Sequence, residues 1–273
     1  MKLLFLGTGA ADWPRETAHL GDERGLDRRY TSVLVDDDIL IDPGSDVPEA
    51  LQTFGADPKK ITTVLISHSH GDHFSAGTLS WLADLHPIDV YGSDGYAHKL
   101  PRHPGLNFHV LAPRESREVA SGTLKALTST HLVGDTDETC LHYVLQRGGN
   151  TLLYATDGAW FTERTFSDMG KFTFDCIILD ATFGDDTRKY RIPDRWILFA
   201  HNGLSMVRHI CESFRDKRKC VHAGTVFVAD HLARHYYPDI ETARAAFEPF
   251  GAVAAYDGMR LTLQAPPAGD QRE

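Results

Sequence analysis

The stretch ITTVLISHSHGDH, residues 61–73, decides how this chain is read. A β-branched, apolar run ends in His68, His70, Asp72 and His73, packed around a single glycine, Gly71. A short continuous apolar run bounded by turn residues reads as a buried strand. Neutral imidazole and carboxylate are the donors that Zn²⁺, Mn²⁺ and iron accept, and a strand end followed by a glycine turn lets alternate side chains converge on one point. His68 and His70, two apart on extended backbone, face the same way, while Asp72 and His73 fall at the beginning of the next helix and can face a second ion. That helix is read from SAGTLSWLADL, where Leu79, Leu82 and Leu85 keep helical spacing. Helix capping would account for Asp72 but for none of the histidines.

Working outward, strand signals dominate the first third: LLFLG, then TSVLV and ILIDPG as a hairpin around Asp36, Asp37 and Asp38. The opening MKLLFLGTGAAD imitates a signal peptide, but its apolar run is broken early by Gly7, and a first β-strand is the better reading. Farther on, IDVYG, NFHVLAP, GTLKALTSTH, HYVLQ, TLLYATD and DCIILDATF read as strands, LSMVRHICESF and IETARAAFEPF as helices, and AAYDGMRLTL as one closing strand. Ala11 to Arg29 has no apolar periodicity and is either a lid or a surface loop. Strands and helices alternate without a boundary, so residues 1–273 read as a single α/β domain, sheets inside and helices outside, with a frayed tail over 265–273.

Composition narrows the function. The chain has 273 residues, and its 28 Lys+Arg against 38 Asp+Glu give a formal charge of −10, which opposes broad nucleic-acid binding and fits a small-molecule substrate. No stretch has the 18 or more apolar residues of a membrane span, so no membrane partner is expected. Cys140, Cys176, Cys211 and Cys220 show no C-x-x-C spacing, which suggests neither a disulfide framework nor a zinc ribbon and reads as reduced thiols in a cytoplasm. Self-association is left open by the sequence.

One motif cannot complete a metal site, so later strand ends should add ligands. His131 after KALTST, Asp157 after LLYAT and Asp180 after CIIL are polar residues at the mouths of apolar runs, positions that project into a cleft.

This set, HSHGDH followed by His131, the Thr156-Asp157 pair and a late His, resembles the metallo-β-lactamase-fold hydrolase superfamily over essentially the whole chain, and ILIDPG with Asp42 resembles its first motif. The resemblance implies a four-layer αβ/βα sandwich. It also implies two divalent transition-metal ions, zinc or manganese with iron as a further fit: one on His68, His70 and His131, the other on Asp72, His73 and a late His, with Asp157 bridging. Within the superfamily, the opening GTG, Arg28-Arg29-Tyr30-Thr31-Ser32, CIILDATF, Ala200-His201-Asn202-Gly203 and Tyr256-Asp257-Gly258-Met259 are similar to phosphodiesterases that open phosphoribosyl cyclic phosphates. There a His in the position of His201 lies beside the substrate phosphate. The chain departs from that group in lacking a Cys-rich loop over 11–29 and in carrying Asp230-His231 where Thr-His is usual. His222 therefore competes with His231 for the late ligand position; His231 is preferred because Thr225 to Ala229 makes the better strand.

The expected activity is hydrolysis of a small, open or cyclic phosphodiester by water activated between two ions. Asp72 and His201 carry the catalytic roles, His201 as general acid or phosphate stabiliser. Arg188, Lys189 and Arg191 are candidate contacts to an anionic group. Ester, lactone or thioester hydrolysis on the same ions is the alternative, and a metal-binding carrier without turnover is a third reading that the intact motif disfavours. The charge disfavours a transfer-RNA processing nuclease, and His70 disfavours flavin-linked oxygen reduction.

Overall fold

The structure is a computed structural model that describes residues 1–13, 27–134, 136–185, 200–217 and 220–264. Arg188, Lys189 and Arg191, most of the 11–29 loop and the 265–273 tail lie outside the described residues.

Among the described residues, fourteen strands form two sheets of seven. The first holds β1 (Lys2–Gly7), β2 (Ser32–Val35), β3 (Ile39–Ile41), β4 (Thr63–Leu65), β5 (Ile88–Gly92), β6 (Leu106–Val110) and, beside β1, the last strand β14 (Arg260–Thr262). The second runs in chain order from β7 (Ser116–Val119) through β8 (Gly122–Thr128), β9 (Leu141–Arg147), β10 (Asn150–Ala155), β11 (Phe174–Asp180) and β12 (Val221–Asp230) to β13 (Ala252–Ala254). Pairing is antiparallel from β7 to β10 and parallel from β10 to β13.

Strands such as β10 are apolar at successive positions because both of their faces are covered. Leu152 and Tyr154 point into the layer between the sheets, where they meet Phe5, Val33 and Ile41 of the first sheet; Leu153 and Ala155 point outward. Outside the second sheet lie α3 (Glu163–Met169), α4 (Leu204–Lys217) and α5 (Ile240–Phe247), which bury Met169, Val207, Phe214 and Phe247 against it. Burying a side chain such as Phe214 contributes about 1.5–3 kcal/mol. On the first sheet, α1 (Val47–Thr53) and α2 (Ala76–Leu85) bury Val47, Leu51, Leu79 and Leu82. This is the expected four-layer αβ/βα sandwich.

Several local readings shift. Asp72 and His73 precede α2 rather than begin it: Ser75 is the cap, its hydroxyl accepting from Thr78 N at 3.2 Å, which leaves the Asp72 carboxylate free of helix duty. The closing segment is two strands in different sheets, because a turn at Tyr256–Met259, with Gly258 at φ 84°, carries the chain from β13 across to β14. β8 and β10 stop at Thr128 and Ala155, so His131 and Asp157 stand in the turns beyond them.

Candidate metal centre

The loops after β4, β8, β10, β11 and β12 open at one end of the sandwich, and their side chains meet there. Asp42, Asp157 and His231 occupy left-handed backbone (φ 58°, 54° and 58°) directly beyond β3, β10 and β12. Such conformations cost of order 1–3 kcal/mol in non-glycine residues and persist where packing and hydrogen bonds fix them. Here the abrupt turn aims each side chain across the gap between the sheets.

His68 Nε2 and His131 Nε2 each lie 3.0 Å from His70 Nδ1. The opposite nitrogens fix the tautomers. His131 Nδ1 can only donate to the Ala200 carbonyl, at 2.9 Å, so its Nε2 is bare. Ser67 Oγ donates to Asp42 Oδ2 at 2.9 Å and so accepts from His68 Nδ1, at 2.9 Å, which leaves His68 Nε2 bare as well. One ring proton on His70 satisfies only one of these lone pairs, whereas one cation satisfies all three nitrogens. Burial pushes His68 well below, and His131 down to about 4 from, the usual imidazole range, which keeps them neutral donors.

A second group forms around His73, His231 and Asp72. His73 Nδ1 donates to Asp42 Oδ2 at 2.8 Å, and His231 Nδ1 donates to Thr182 Oγ1 at 2.8 Å, so both rings turn Nε2 inward. The two Nε2 atoms are 3.2 Å apart and lie 3.5 and 3.4 Å from Asp72 Oδ2. Asp157 stands between the groups: Oδ1 is 3.8 Å from His131 Nε2, while Oδ2 is 2.8 Å from His73 Nε2 and 3.3 Å from His231 Nε2. That Oδ2 is buried and, despite the short approach, receives no aligned hydrogen bond. Burial opposes charge on both histidines, but Asp157 and Asp72 outweigh it, raising His73 well above its ordinary value and His231 to about 9. Burial likewise opposes charge on Asp157, which His231 and His73 nonetheless hold well below the usual carboxylate range. Protons on these imidazoles thus balance two buried carboxylates, a balance that divalent cations provide equally. Bare nitrogens, an orphaned carboxylate oxygen and buried carboxylates that need a counter-charge together fit divalent metal ions.

His201 is brought to the same place but differs in its bonding. Its Nδ1 lies 2.8 Å from Asp180 Oδ2, its ring stacks on His231 at 5.2 Å, and its side chain is 16% exposed to the cleft. Asp180, a candidate ligand in the sequence, accepts from the backbone N–H groups of Asp157, Thr182 and Asn202 and from His201, which it orients, and with Asp157, His201 and His231 it also belongs to a set of donors close enough to hold a cation. His222 is remote from this cluster: it is partly exposed and pairs with Asp175 Oδ1 at 3.0 Å. His235 pairs with Asp12 at the cleft edge.

Sequence reasoning gave no role to the supporting residues. Asp42 accepts from Ser67 N, Ser67 Oγ, His73 Nδ1 and Tyr154 OH at 2.7–2.9 Å and so orients one histidine of each group. Thr182 serves His231, and Glu138 accepts from Ser69 N at 2.7 Å and Ser69 Oγ at 2.5 Å, pinning the turn between His68 and His70. Asp42 had a signal in its place after ILI; Thr182 and Glu138 had none.

Comparison with known proteins agrees with this geometry. Ribonuclease Z of Methanococcus maripaludis (strain C6) is 31% identical over 136 residues, 48% of this chain and 42% of that protein, so the match spans less than half of the relative's length. The Zn²⁺-bound PqqB structure from Methylobacterium extorquens superposes with a TM-score of 0.74 at 20% identity, over 96% of this chain and 100% of that one. A diphosphatase of the PhnP family superposes at 0.67 and 20% identity, over 95% and 96% of the two chains. At these identities the structural likenesses speak for the fold. The sequence model of the Beta-lactamase superfamily domain covers residues 37–222, from the strand that presents Asp42 past His201, and on that match the chain belongs to the metallo-β-lactamase-fold hydrolase superfamily.

Proposed function

We propose that the protein is a phosphodiesterase that activates water at a dinuclear site and acts on a small phosphodiester, open or cyclic. The Asp180–His201 pair at the cleft wall carries this reading. With Nδ1–H held by Asp180, Nε2 is the atom left for proton transfer, on a ring that stands against His131 and His231, although its donors also lie close enough to those of Asp157, Asp180 and His231 to share a cation. An alkoxide leaving from phosphorus needs a proton, and an imidazole oriented by a carboxylate is suited to give one.

His68, His70 and His131 would hold one ion, Asp72, His73 and His231 the other, with Asp157 between them. Zinc or manganese bound there would supply water ionised near neutrality and positive charge for the phosphoryl oxygens. His73 and His231 hold Asp72 well below the usual carboxylate range against the effect of burial, and at the cleft floor it orients the attacking water by accepting its hydrogen bond. His201 donates from Nε2 to the leaving oxygen while Asp180 steadies the imidazolium. The likeness to ribonuclease Z and to a diphosphatase supports phosphorus rather than carbon as the centre attacked. Among the described residues no Lys or Arg lines the cleft of ≈ 1030 Å³, which with the net charge favours a small substrate over a long nucleic acid. Four free, buried cysteines fit a cytoplasmic enzyme, and no helix among the described residues is long and apolar enough to cross a membrane.

The test is a substrate panel on protein reconstituted with zinc or manganese and checked for about two ions per chain, as a dinuclear site requires: bis-p-nitrophenyl phosphate, 2′,3′-cyclic nucleotides, a lactone and a thioester. Phosphodiesters should be turned over fastest; background rates on them beside rapid lactone or thioester hydrolysis would refute the reading. The ribonuclease Z likeness favours one second reading, an RNA-cleaving enzyme, which would show steep salt dependence and a preference for structured RNA.

A further inference from the structure

We infer that the cleft contains a subsite for a planar, unsaturated ring, built beside His201 by the walls that Phe183, Tyr236 and Leu132 contribute, which seats the leaving group of the substrate. The inference rests on the phosphodiesterase reading, because it asks what lies over the proton donor once the phosphoryl group occupies the floor. Beyond that floor the Asp12–His235 pair and Thr182 are polar, and most of the other described walls are apolar: Ala10, Ala11, Leu132, Phe183, Ala233 and Tyr236. These walls offer a phosphate nothing, but they do offer contact area to a carbon framework.

The aromatic part is built in advance of any ligand. Phe183 stands edge-on to His201 at 5.4 Å and 84°, and Tyr236 meets Phe183 at 5.9 Å and 67°. Phe183 is fixed through its backbone, its N–H donating to Asn202 O and its carbonyl accepting from Tyr237 OH, both at 3.0 Å. Gly184 makes the wall feasible, since a Cβ there would lie 2.6 Å from Tyr236 Cδ1. On the other side His131 lies 4.9 Å from the His201 ring, and the next residue, Leu132, is 70% exposed while lining the cleft. The residue before it, His131, is held by Ala200 O, and Glu138 farther along is held by Ser69. An exposed leucine and an edge-to-face aromatic pair lining the same cleft as one acid–base group offer apolar contact to a flat ring, such as a nucleobase or an aryl alcohol.

The experiment is isothermal titration of the metal-reconstituted protein with adenosine 5′-monophosphate and with ribose 5-phosphate, which share a phosphate and a sugar and differ in the ring. Stacking predicts a preference for the nucleotide on the order of 10-fold. Phe183→Leu and Leu132→Ser should each shrink that preference while ribose 5-phosphate binds as before; Leu132 is at the surface, so its variant folds. Equal affinity for the two ligands, binding of neither, or parallel weakening of both in the variants would overturn the subsite. Turnover of bis-p-nitrophenyl phosphate on the same preparations separates the two readings. Turnover without ring preference removes the subsite alone, and ring preference without turnover removes the phosphodiesterase and leaves the subsite.

Discussion

Asp42→Asn is the most informative single change, because it keeps shape while reversing hydrogen-bond polarity at a residue serving both ligand groups. In the native protein Oδ1 accepts from Ser67 N, and Oδ2 accepts from Ser67 Oγ, His73 Nδ1 and Tyr154 OH. Whichever way the amide faces, its nitrogen meets a donor: the Ser67 N–H in the Oδ1 place, or Ser67 Oγ, His73 Nδ1 and Tyr154 OH in the Oδ2 place. The Ser67 and Tyr154 hydroxyls can rotate away, but the His73 N–H cannot unless the proton moves to Nε2, which removes that ring from the ligand set. One stranded buried donor costs about 1–3 kcal/mol of folding stability. Loss of an orienting carboxylate behind a ligating histidine typically weakens metal binding by about 10–100-fold. The larger loss is expected at the group containing His73, with a smaller one at the group containing His68, which Asp42 reaches only through Ser67. Zinc competition against a chromophoric chelator reads the affinities, and urea unfolding of the metal-free variant reads stability separately. Unchanged affinities with reduced stability would show that Asp42 only packs, and a loss confined to the His68 group would show that its bond to His73 carries nothing.

His201→Ala should keep both ions and lose about 10²–10⁴-fold in rate on a diester with a poor leaving group, with a smaller loss when p-nitrophenolate leaves; metal loss in the variant would return His201 to the ligand set. His231→Ala should lower metal content while His222→Ala, whose ring is engaged with Asp175, leaves it intact, and the reverse result would contradict the site as drawn. Hydrogen bonds from Arg114 and Lys171 hold Asp168 down to about 2. Its folded value lies below the unfolded one, so its contribution is complete above 3.8 and disappears as pH falls through about 2. The urea midpoint of Asp168→Asn should therefore lie below the wild-type midpoint near neutrality and converge with it in acid, and a gap independent of pH would exclude the ion pairs as its source.

Residues whose role depends on a local pattern were legible in the sequence. ITTVLISHSHGDH announces a strand, a turn and convergent donors within thirteen positions, and the apolar runs before His131, Asp157 and Asp180 mark strand mouths. Where the structure differs, the cause is contact between distant segments. Strand position marks Asp180 as a cleft residue but does not show that three backbone N–H groups and His201 converge on it. Glu138 sits in a stretch without periodicity, and its hold on Ser69 exists only because the sheets face each other. The split of AAYDGMRLTL into strands of different sheets turned on one glycine conformation, which periodicity does not register.

Described from its edges, the sandwich resembles a book whose covers are joined at both margins. The chain passes from one sheet to the other after β6 and again after β13, and these are edge strands, so the covalent links leave the middle of the strand order unbound. The cluster sits in that middle: His68, His70, Asp72 and His73 belong to the first cover, His131, Asp157 and His231 to the second. Cations held there act as a clasp. Since they bind the closed book and not the opened one, loading raises stability by mass action, and a chelator should lower the melting temperature without any change in the core. A substitution far from the cleft that lets one sheet slide on the other should, by the same linkage, first be noticed as lost metal.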